Sequence, residues 1–287
     1  MQHSFEQQLA GRYATLSAKL KEAADFVVAN PVDVATRSLR AVSKDAKLSP
    51  ATFSRMSTAL GYDGYDALRE VLRRSMERHA GSFSSRVEDL QKRHDHGDQS
   101  FLNSHLLACS TNLEAMGTHL DIPTIEMCVD RLHIARRVLV AGALGSTGIA
   151  EYLTYMASFI ADNWSMAHRM GASMASGLVG ISDKDVLVVI TKPPFAKLTI
   201  NAAKEASASG AFVIVITDTH TCPALIFASA SFIVPTQSPH FFSSYASTLV
   251  LVEIMIGMLA GRGGTEARDR IALVEDRNRT LNEVWDR

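Results

Sequence analysis

Arg137-Val138-Leu139-Val140-Ala141-Gly142-Ala143-Leu144-Gly145-Ser146-Thr147-Gly148 is the stretch that decides the fold. Its first half is a short continuous apolar run, the mark of a strand buried on both faces. Its second half is a glycine-serine turn, and Ile149 to Ala161 reads as a helix behind it. The alternation repeats downstream. Asp185-Val186-Leu187-Val188-Val189-Ile190 precedes a helix from Leu198 to Ser209, and Phe212-Val213-Ile214-Val215-Ile216-Thr217 precedes a short helical turn from Ala224 to Ala228. Phe232-Ile233-Val234-Pro235 then precedes a long helix from Ser244 to Leu259, and a shorter strand fits Trp164-Ser165-Met166-Ala167. Such a series specifies an α/β unit with a parallel sheet covered on both faces. Ligands on such sheets lie beyond the carboxyl ends of the strands, so the loops 142–148, 191–199 and 217–223 are where a site belongs.

The first of those loops admits three readings. A glycine-serine turn opening a helix can hold an anion on backbone N–H groups and the helix dipole. The Gly-x-x-Gly-x-x-Gly spacing also suits a dinucleotide, but that wants an acidic residue ending the next strand. The strand near Trp164 to Ala167 ends in His168 and Arg169, and no Tyr-x-x-x-Lys pair occurs anywhere in the chain. The plainest reading is a tight turn with Gly148 kept only for packing.

Upstream, residues 5–74 carry helical periodicity and no strand signal. Leu16, Leu20, Ala23, Ala24 and Val27 mark one helical face, which Asn30-Pro31 interrupts. Ser38 is a plausible N-cap for a helix burying Leu39, Val42 and Ala46, and Lys47-Leu48 forms a short turn. Ser49 then caps a second helix with Pro50 at its first position, Phe53, Met56 and Leu60 inward and Gly61 at its end. Two short helices around a tight turn are a helix-turn-helix pattern, whose second helix enters the DNA major groove. On that pattern Ser49, Ala51, Thr52, Ser54, Arg55 and Thr58 are the DNA-binding candidates. Arg can fork onto guanine, Ser and Thr can reach base or phosphate, and Ala can touch a thymine methyl. The bland alternative is a small bundle showing polar residues to solvent.

Length and charge agree with this division. The chain has 287 residues, enough for two domains. Hydrophobic residues make up 47% and charged residues 21%, which excludes a disordered chain. The net charge of −1 hides a surplus of three positive charges over residues 1–74 and a deficit of three over 75–121. Cys109, Cys128 and Cys222 form no framework, and a reducing, cytoplasmic setting is expected. The start Met1-Gln2-His3-Ser4-Phe5-Glu6 has neither the basic nor the apolar region of a secretory signal, and no membrane partner is expected. His94-Asp95-His96-Gly97-Asp98 lacks a completing ligand at metal spacing, so it reads as a solvated interdomain loop. No metal or cofactor is expected.

The series Ser38-Leu39, Val42, Ala46, Leu48-Ser49, Ala51-Thr52-Phe53, Arg55-Met56, Leu60-Gly61-Tyr62, Gly64-Tyr65 and Leu68-Arg69 resembles the N-terminal domain of RpiR-type bacterial transcription regulators. The chain departs from it at Lys47, where the family more often has glycine, so Lys47 must take the turn conformation at some strain. Residues 122–262 resemble a SIS (sugar isomerase) domain, through the strand-Gly-x-x-Gly-Ser-helix start and Val215-Ile216-Thr217-Asp218 before Cys222-Pro223-Ala224-Leu225. The resemblance implies an all-α helix-turn-helix domain at 1–78, a helical linker at 79–121, a SIS αβα sandwich at 122–262 and a C-terminal helix at 263–287. It also implies a regulator of carbohydrate metabolism that binds an operator and senses a sugar phosphate or related metabolite. Ser146, with Gly145 and Thr147, would hold the phosphate.

The second loop departs from the family. Where SIS domains carry Ser, Thr and Gly, this chain has Thr191-Lys192-Pro193-Pro194-Phe195-Ala196-Lys197. The prolines remove amide donors, and Lys192 and Lys197 restore charge as points rather than as a cradle. Thr191, Lys192, Thr217, Asp218 and His240 complete the expected ligand set, although Asp218 also suits capping the next turn. A sugar-phosphate isomerase with a non-DNA-binding N-terminal bundle is the alternative, and a structural adaptor is a third. An isomerase needs a base, and Glu151, Glu253, His220 and His240 are the few candidates. Glu253 reads more simply as a partly exposed helix residue, and no enzyme activity is expected. A helix-turn-helix works as a dimer on a palindromic double-stranded operator, so a homodimer or tetramer is expected. The tail, with Ile271, Val274, Leu281, Val284 and Trp285, is expected to pack as an amphipathic helix.

Overall fold

Proline placement and capping cut the first third of the chain into helices. The computed structural model describes residues 5–80, 83–95, 100–168 and 173–285. Eight helices come first: α1 (Phe5–Arg12), α2 (Ala18–Ala29), α3 (Pro31–Thr36), α4 (Leu39–Asp45), α5 (Pro50–Ala59), α6 (Gly64–Ala80), α7 (Phe83–Asp95) and α8 (Phe101–His119). Asn30-Pro31 does more than end a helix. Proline is well suited to a first helical position, so it starts α3, which the periodicity did not reveal. Residues 96–98 of the His94-Asp98 break lie outside the described residues.

The chain divides into two compact units, one of residues 1–119 with 237–244 and one of 120–236 with 245–287. In the first, Phe53, Met56 and Leu60 of the α5 segment are fully buried with Val27, Val34, Val42 and Leu68. The Phe53 ring stands edge-on to Phe26 and to Tyr65, each at 6.1 Å between centroids, the geometry aromatic quadrupoles favour. The Arg69 and Arg73 guanidinium groups donate to the Ala35 carbonyl, answering acceptors that the short α3 leaves open at its end. The segment 237–244 joins this unit through Asn112, whose amide donates to Gln237 O and accepts from Gln237 N–H.

The second unit starts with α9 (Ile122–Ile134), capped by Asp121. Its sheet has five parallel strands in the order β2-β1-β3-β4-β5. They are β1 (Arg137–Gly142), β2 (Trp164–Met166), β3 (Asp185–Ile190), β4 (Phe212–Thr217) and β5 (Ala230–Ile233). The remaining helices are α10 (Thr147–Ser158), α11 (Met174–Leu178), α12 (Lys197–Ala208), α13 (Ala246–Arg262) and α14 (Gly264–Thr280). The period of two decides the faces. Leu139, Ala141, Leu187, Val189, Val213 and Val215 pack with Ala202, Ala203 and Ala206 of α12. The alternate residues turn to the other face, where α10 packs on β1 and α13 bridges α10 and α9.

One strand boundary differs from expectation. The last strand begins at Ala230 rather than Phe232, because Ser229 already pairs with Val213 through its N–H and its hydroxyl. The tail continues as α14, in which Ile271 and Val274 are half-buried, while Leu281 and Trp285 beyond it are exposed, as an end that packs on a partner subunit would leave them. No single described helix is long and apolar enough to cross a membrane.

Candidate functional site

Beyond Gly142 the chain must turn at once into α10. A Cβ on Gly142 would come within 2.6 Å of the Ser146 carbonyl oxygen, so only glycine permits this turn. Gly148 has open space around it, which removes packing as the reason for its presence. Ser146 stands at the start of α10 but does not cap it. Its buried hydroxyl instead lies 3.0 Å from the phenol oxygen of Tyr245, the residue that opens α13. Gly145 is exposed beneath the same phenol, where a Cβ would meet the oxygen at 3.2 Å. Thr147 is the first, half-buried residue of α10.

The end of β3 supplies Thr191 and Lys192, both buried. Thr191 accepts a hydrogen bond from Thr199 of α12, and its N–H donates to Ile216 on β4. Lys192 is only 5% exposed, and its Nζ sits 3.9 Å from the centroid of the Tyr245 ring. Burial pushes the Lys192 ammonium down to about 7, against the pull of the Asp218 carboxylate. Lys197 is exposed, so of the two lysines in this loop only Lys192 joins the buried group. The end of β4 supplies buried Thr217 and half-buried Asp218. Asp218 Oδ2 accepts from Thr236, while its buried Oδ1 has no hydrogen-bond partner among the described residues. The first turn of α13 adds the buried hydroxyls of Ser247 and Thr248, also without partners among the described residues. Burial raises the Tyr245 phenol, opposed by its bond to Ser146. Burial also raises the Cys222 thiol.

Three strand ends thus bring Ser146, Thr191, Lys192, Thr217 and Asp218 to one edge of the sheet, with Tyr245 linking two of them. The arrangement offers one cation, one carboxylate and several hydroxyls, chemistry suited to a polar, hydroxylated ligand. His240 belongs to the helical unit. There its ring stacks on Phe241 at 4.2 Å and its Nδ1 accepts from the Phe242 N–H. Glu253 is exposed and accepts from the Tyr152 phenol at 3.0 Å, and Glu151 and His220 are exposed as well. The sequence pattern reads Ser244 to Leu259 as one helix, whereas α13 begins at Ala246 with Tyr245 at its N-cap position. The Ser243-Ser244-Tyr245 cluster was the available signal. Among the described residues no three His, Cys, Asp or Glu side chains gather as a metal site.

In the helical unit, α4 and α5 are joined by residues 46–49. Lys47 takes φ 54°, the left-handed conformation that its non-glycine identity makes strained. Ser49 Oγ accepts from Thr52 N–H, and Pro50 opens α5. Ser49, Ala51, Arg55 and Thr58 are exposed and Ser54 is half-buried. Thr52 is a correction. It is 5% exposed, with its hydroxyl 2.9 Å from Ser49 Oγ, because it lies one turn before Met56 and shares its inward face. The Arg55 Nε, Ser54 Oγ and Thr58 Oγ1 groups donate to carbonyls of their own helix. Exposed Arg40, Lys44 and Lys47 lie on α4 and the turn.

Comparison with known proteins agrees with both halves. The SIS domain family model matches residues 131–258. An uncharacterized HTH-type transcriptional regulator from Clostridium perfringens is 23% identical over 68% of this chain and 68% of its own length. The Vibrio vulnificus NanR protein complexed with ManNAc-6P superposes with a TM-score of 0.55 at 21% identity, covering 97% of this chain and 99% of NanR. The sugar isomerase domain of an RpiR transcription factor from Sphaerobacter thermophilus gives 0.59 at 17% identity, covering 62% of this chain and 99% of that domain. The chain thus carries a stretch at residues 131–258 that matches the SIS domain family, behind an all-helical N-terminal region, and its helical region followed by a five-stranded parallel αβα sandwich is similar in fold to NanR.

Proposed function

We propose that this chain is a ligand-responsive, DNA-binding transcription regulator of carbohydrate metabolism. The observation that carries the reading is one polypeptide holding both a capped helix with a polar outer face and a buried cluster of polar groups at a sheet edge. On α5, Arg55 reads a base edge or grips phosphate, and Ala51, Ser54 and Thr58 lie beside it. Ser49 contributes through its cap, and Thr52 supports that cap from inside rather than touching DNA. Arg40, Lys44 and Lys47 add the phosphate contacts that fix register without reading sequence. At the sheet edge Gly145, Ser146, Thr147, Thr191, Lys192, Thr217 and Asp218 hold the effector, a sugar phosphate or related metabolite. NanR, which is complexed with ManNAc-6P, supports that ligand class by analogy.

The operator is palindromic and the working form is a homodimer or tetramer. Effector binding changes operator affinity by roughly 5–150-fold, the usual span of such coupling. The assay is fluorescence anisotropy on the DNA upstream of the protein's own gene, with competitor DNA near physiological salt, because non-specific binding is mostly counterion release. Tight binding that competitor does not displace, and that a sugar or sugar phosphate shifts, is the expected result. Turnover of a sugar phosphate with no specific DNA binding would favour an isomerase-like enzyme instead.

A further inference from the structure

Away from the sheet edge, α8 carries a cluster in which a nucleophile, a base and two hydroxyls meet. Cys109 and His105 lie one turn apart on the same face of that helix. Cys109 Sγ and His105 Nε2 are 3.7 Å apart. The segment 237–244 belongs to the same compact unit as α8 and supplies the hydroxyls. Ser238 Oγ lies 3.3 Å from His105 Nδ1, and Ser244 Oγ lies 3.6 Å from the Cys109 sulfur. Ser238 Oγ also accepts from the His240 N–H at 3.0 Å, which holds that hydroxyl in place. The His105 ring is stacked on Phe101, with centroids 5.7 Å apart and planes at 14°. The two serines stand 133 and 135 residues beyond the groups they meet, so tertiary structure and not helix spacing completes the cluster. A thiol beside a base that a third group orients is the arrangement nucleophilic chemistry needs.

We propose that Cys109 is a reactive thiol with His105 as its base, and that it takes an uncharged α,β-unsaturated carbonyl compound as a covalent ligand. With the Nδ1 proton donated to Ser238 Oγ, the Nε2 lone pair faces the sulfur and takes the thiol proton. The Ser244 hydroxyl donates to the resulting thiolate, which favours the charged form. The thiolate sulfur then bonds to the β carbon of the ligand, and the carbon–carbon π pair moves to the α carbon. The proton held on Nε2 passes to that α carbon. No group leaves, nothing is oxidised, and His105 returns to its starting form. The surroundings choose the class of ligand. Residues 101–113 contain no Asp, Glu, Lys or Arg, so this stretch has no carboxylate, lysine or arginine to recruit a charged reagent. Leu106, one turn before Cys109, and Leu102, a turn before that, are exposed and offer apolar contact. The other two thiols are set apart from this chemistry. Cys109 is partly exposed, whereas Cys128 and Cys222 are buried, and burial pushes the Cys128 thiol up to about 12 and raises that of Cys222. This site lies outside the regulator reading and does not depend on the sheet edge.

The test uses the full chain with N-ethylmaleimide as the probe. The labelling rate of each cysteine is read by peptide mass spectrometry and compared with that of 2-mercaptoethanol in the same buffer. Expected in the folded protein is labelling of Cys109 alone, about tenfold faster than the free thiol. His105→Ala should slow it about tenfold, and added imidazole should restore the rate in that variant, which a merely loosened fold would not show. His105→Gln fills the space of the ring without a base, so it should be as slow as His105→Ala and resist rescue by imidazole. A maleimide bearing a carboxylate should gain less at Cys109, relative to 2-mercaptoethanol, than N-ethylmaleimide does. Labelling of Cys109 no faster than the free thiol overturns the proposal. A rate in His105→Ala and His105→Gln equal to wild type or faster overturns it as well. Slow variants of which neither answers to imidazole overturn the role of His105 as base. An equal gain for the two maleimides overturns the uncharged class of ligand.

Discussion

Replacing Lys192 by Met isolates one charge in the sheet unit. In the folded chain burial brings the amine down to about 7, while unfolding returns it to the ordinary lysine value of 10.5. Between those values the unfolded chain binds more protons than the folded one, so wild-type stability rises with pH from near 7 and the gain is lost below it. From about pH 6.5 to about pH 8.5 unfolding takes up about 0.7 proton on average. At about 1.36 kcal/mol per pH unit for each proton, wild type gains about 2 kcal/mol over that interval. Lys192→Met removes this slope and leaves every other titrating group in place, so the difference between the two proteins reports Lys192 alone. Methionine fills a similar volume without a charge to desolvate, so the variant should also be the more stable of the two at about pH 6.5. The assay is urea unfolding across that range, followed by tryptophan fluorescence. Trp164 and Trp285 both belong to the sheet unit, which makes the probe local to it. Parallel stability curves for wild type and Lys192→Met would refute the argument, and with it the claim that the folded protein holds a strained, buried ammonium.

Three further outcomes are expected. Arg55→Ala should weaken operator binding without moving the thermal midpoint, since its side chain is exposed, and unchanged affinity in anisotropy would remove it from the interface. Phe53→Ala should destabilise the helical unit by about 3–5 kcal/mol in circular dichroism melts, because a fully buried ring against Phe26 and Tyr65 leaves a cavity. Lys47→Gly should stabilise the same unit by about 1 kcal/mol by relieving the left-handed backbone at the turn, and a lower midpoint would show that the turn tolerates lysine without strain.

The sheet edge also shows why this chain departs from a cradle of main-chain amides. Pro193 and Pro194 cannot donate, and Ala196 precedes α12 without a capping side chain. What remains is side-chain chemistry from separate strand ends: Thr191 and Lys192 just after β3, Thr217 at the end of β4 with Asp218 after it, and Ser146 after β1.

The sequence by itself determined the main elements and their order, though not the short α3. Short apolar runs such as Val138 to Ala141 and Val186 to Ile190, rich in β-branched residues and bounded by turn residues, read as strands buried on both faces. Ser49-Pro50 and Gly61 mark the two ends of α5 by local chemistry that needs no distant partner. The strained Lys47 was legible for the same reason. Tertiary structure alone decided which side chains meet. Thr52 reads as polar and outward in a list of residues, yet one helical turn before Met56 it faces the core. Tyr245 lies fifty-three residues after Lys192 and ninety-nine after Ser146, and no periodicity records such a meeting. The pleat and the parallel crossovers set those distances. The displaced proton affinity of Lys192 follows from them, because desolvation belongs to a surrounding that only the folded chain creates.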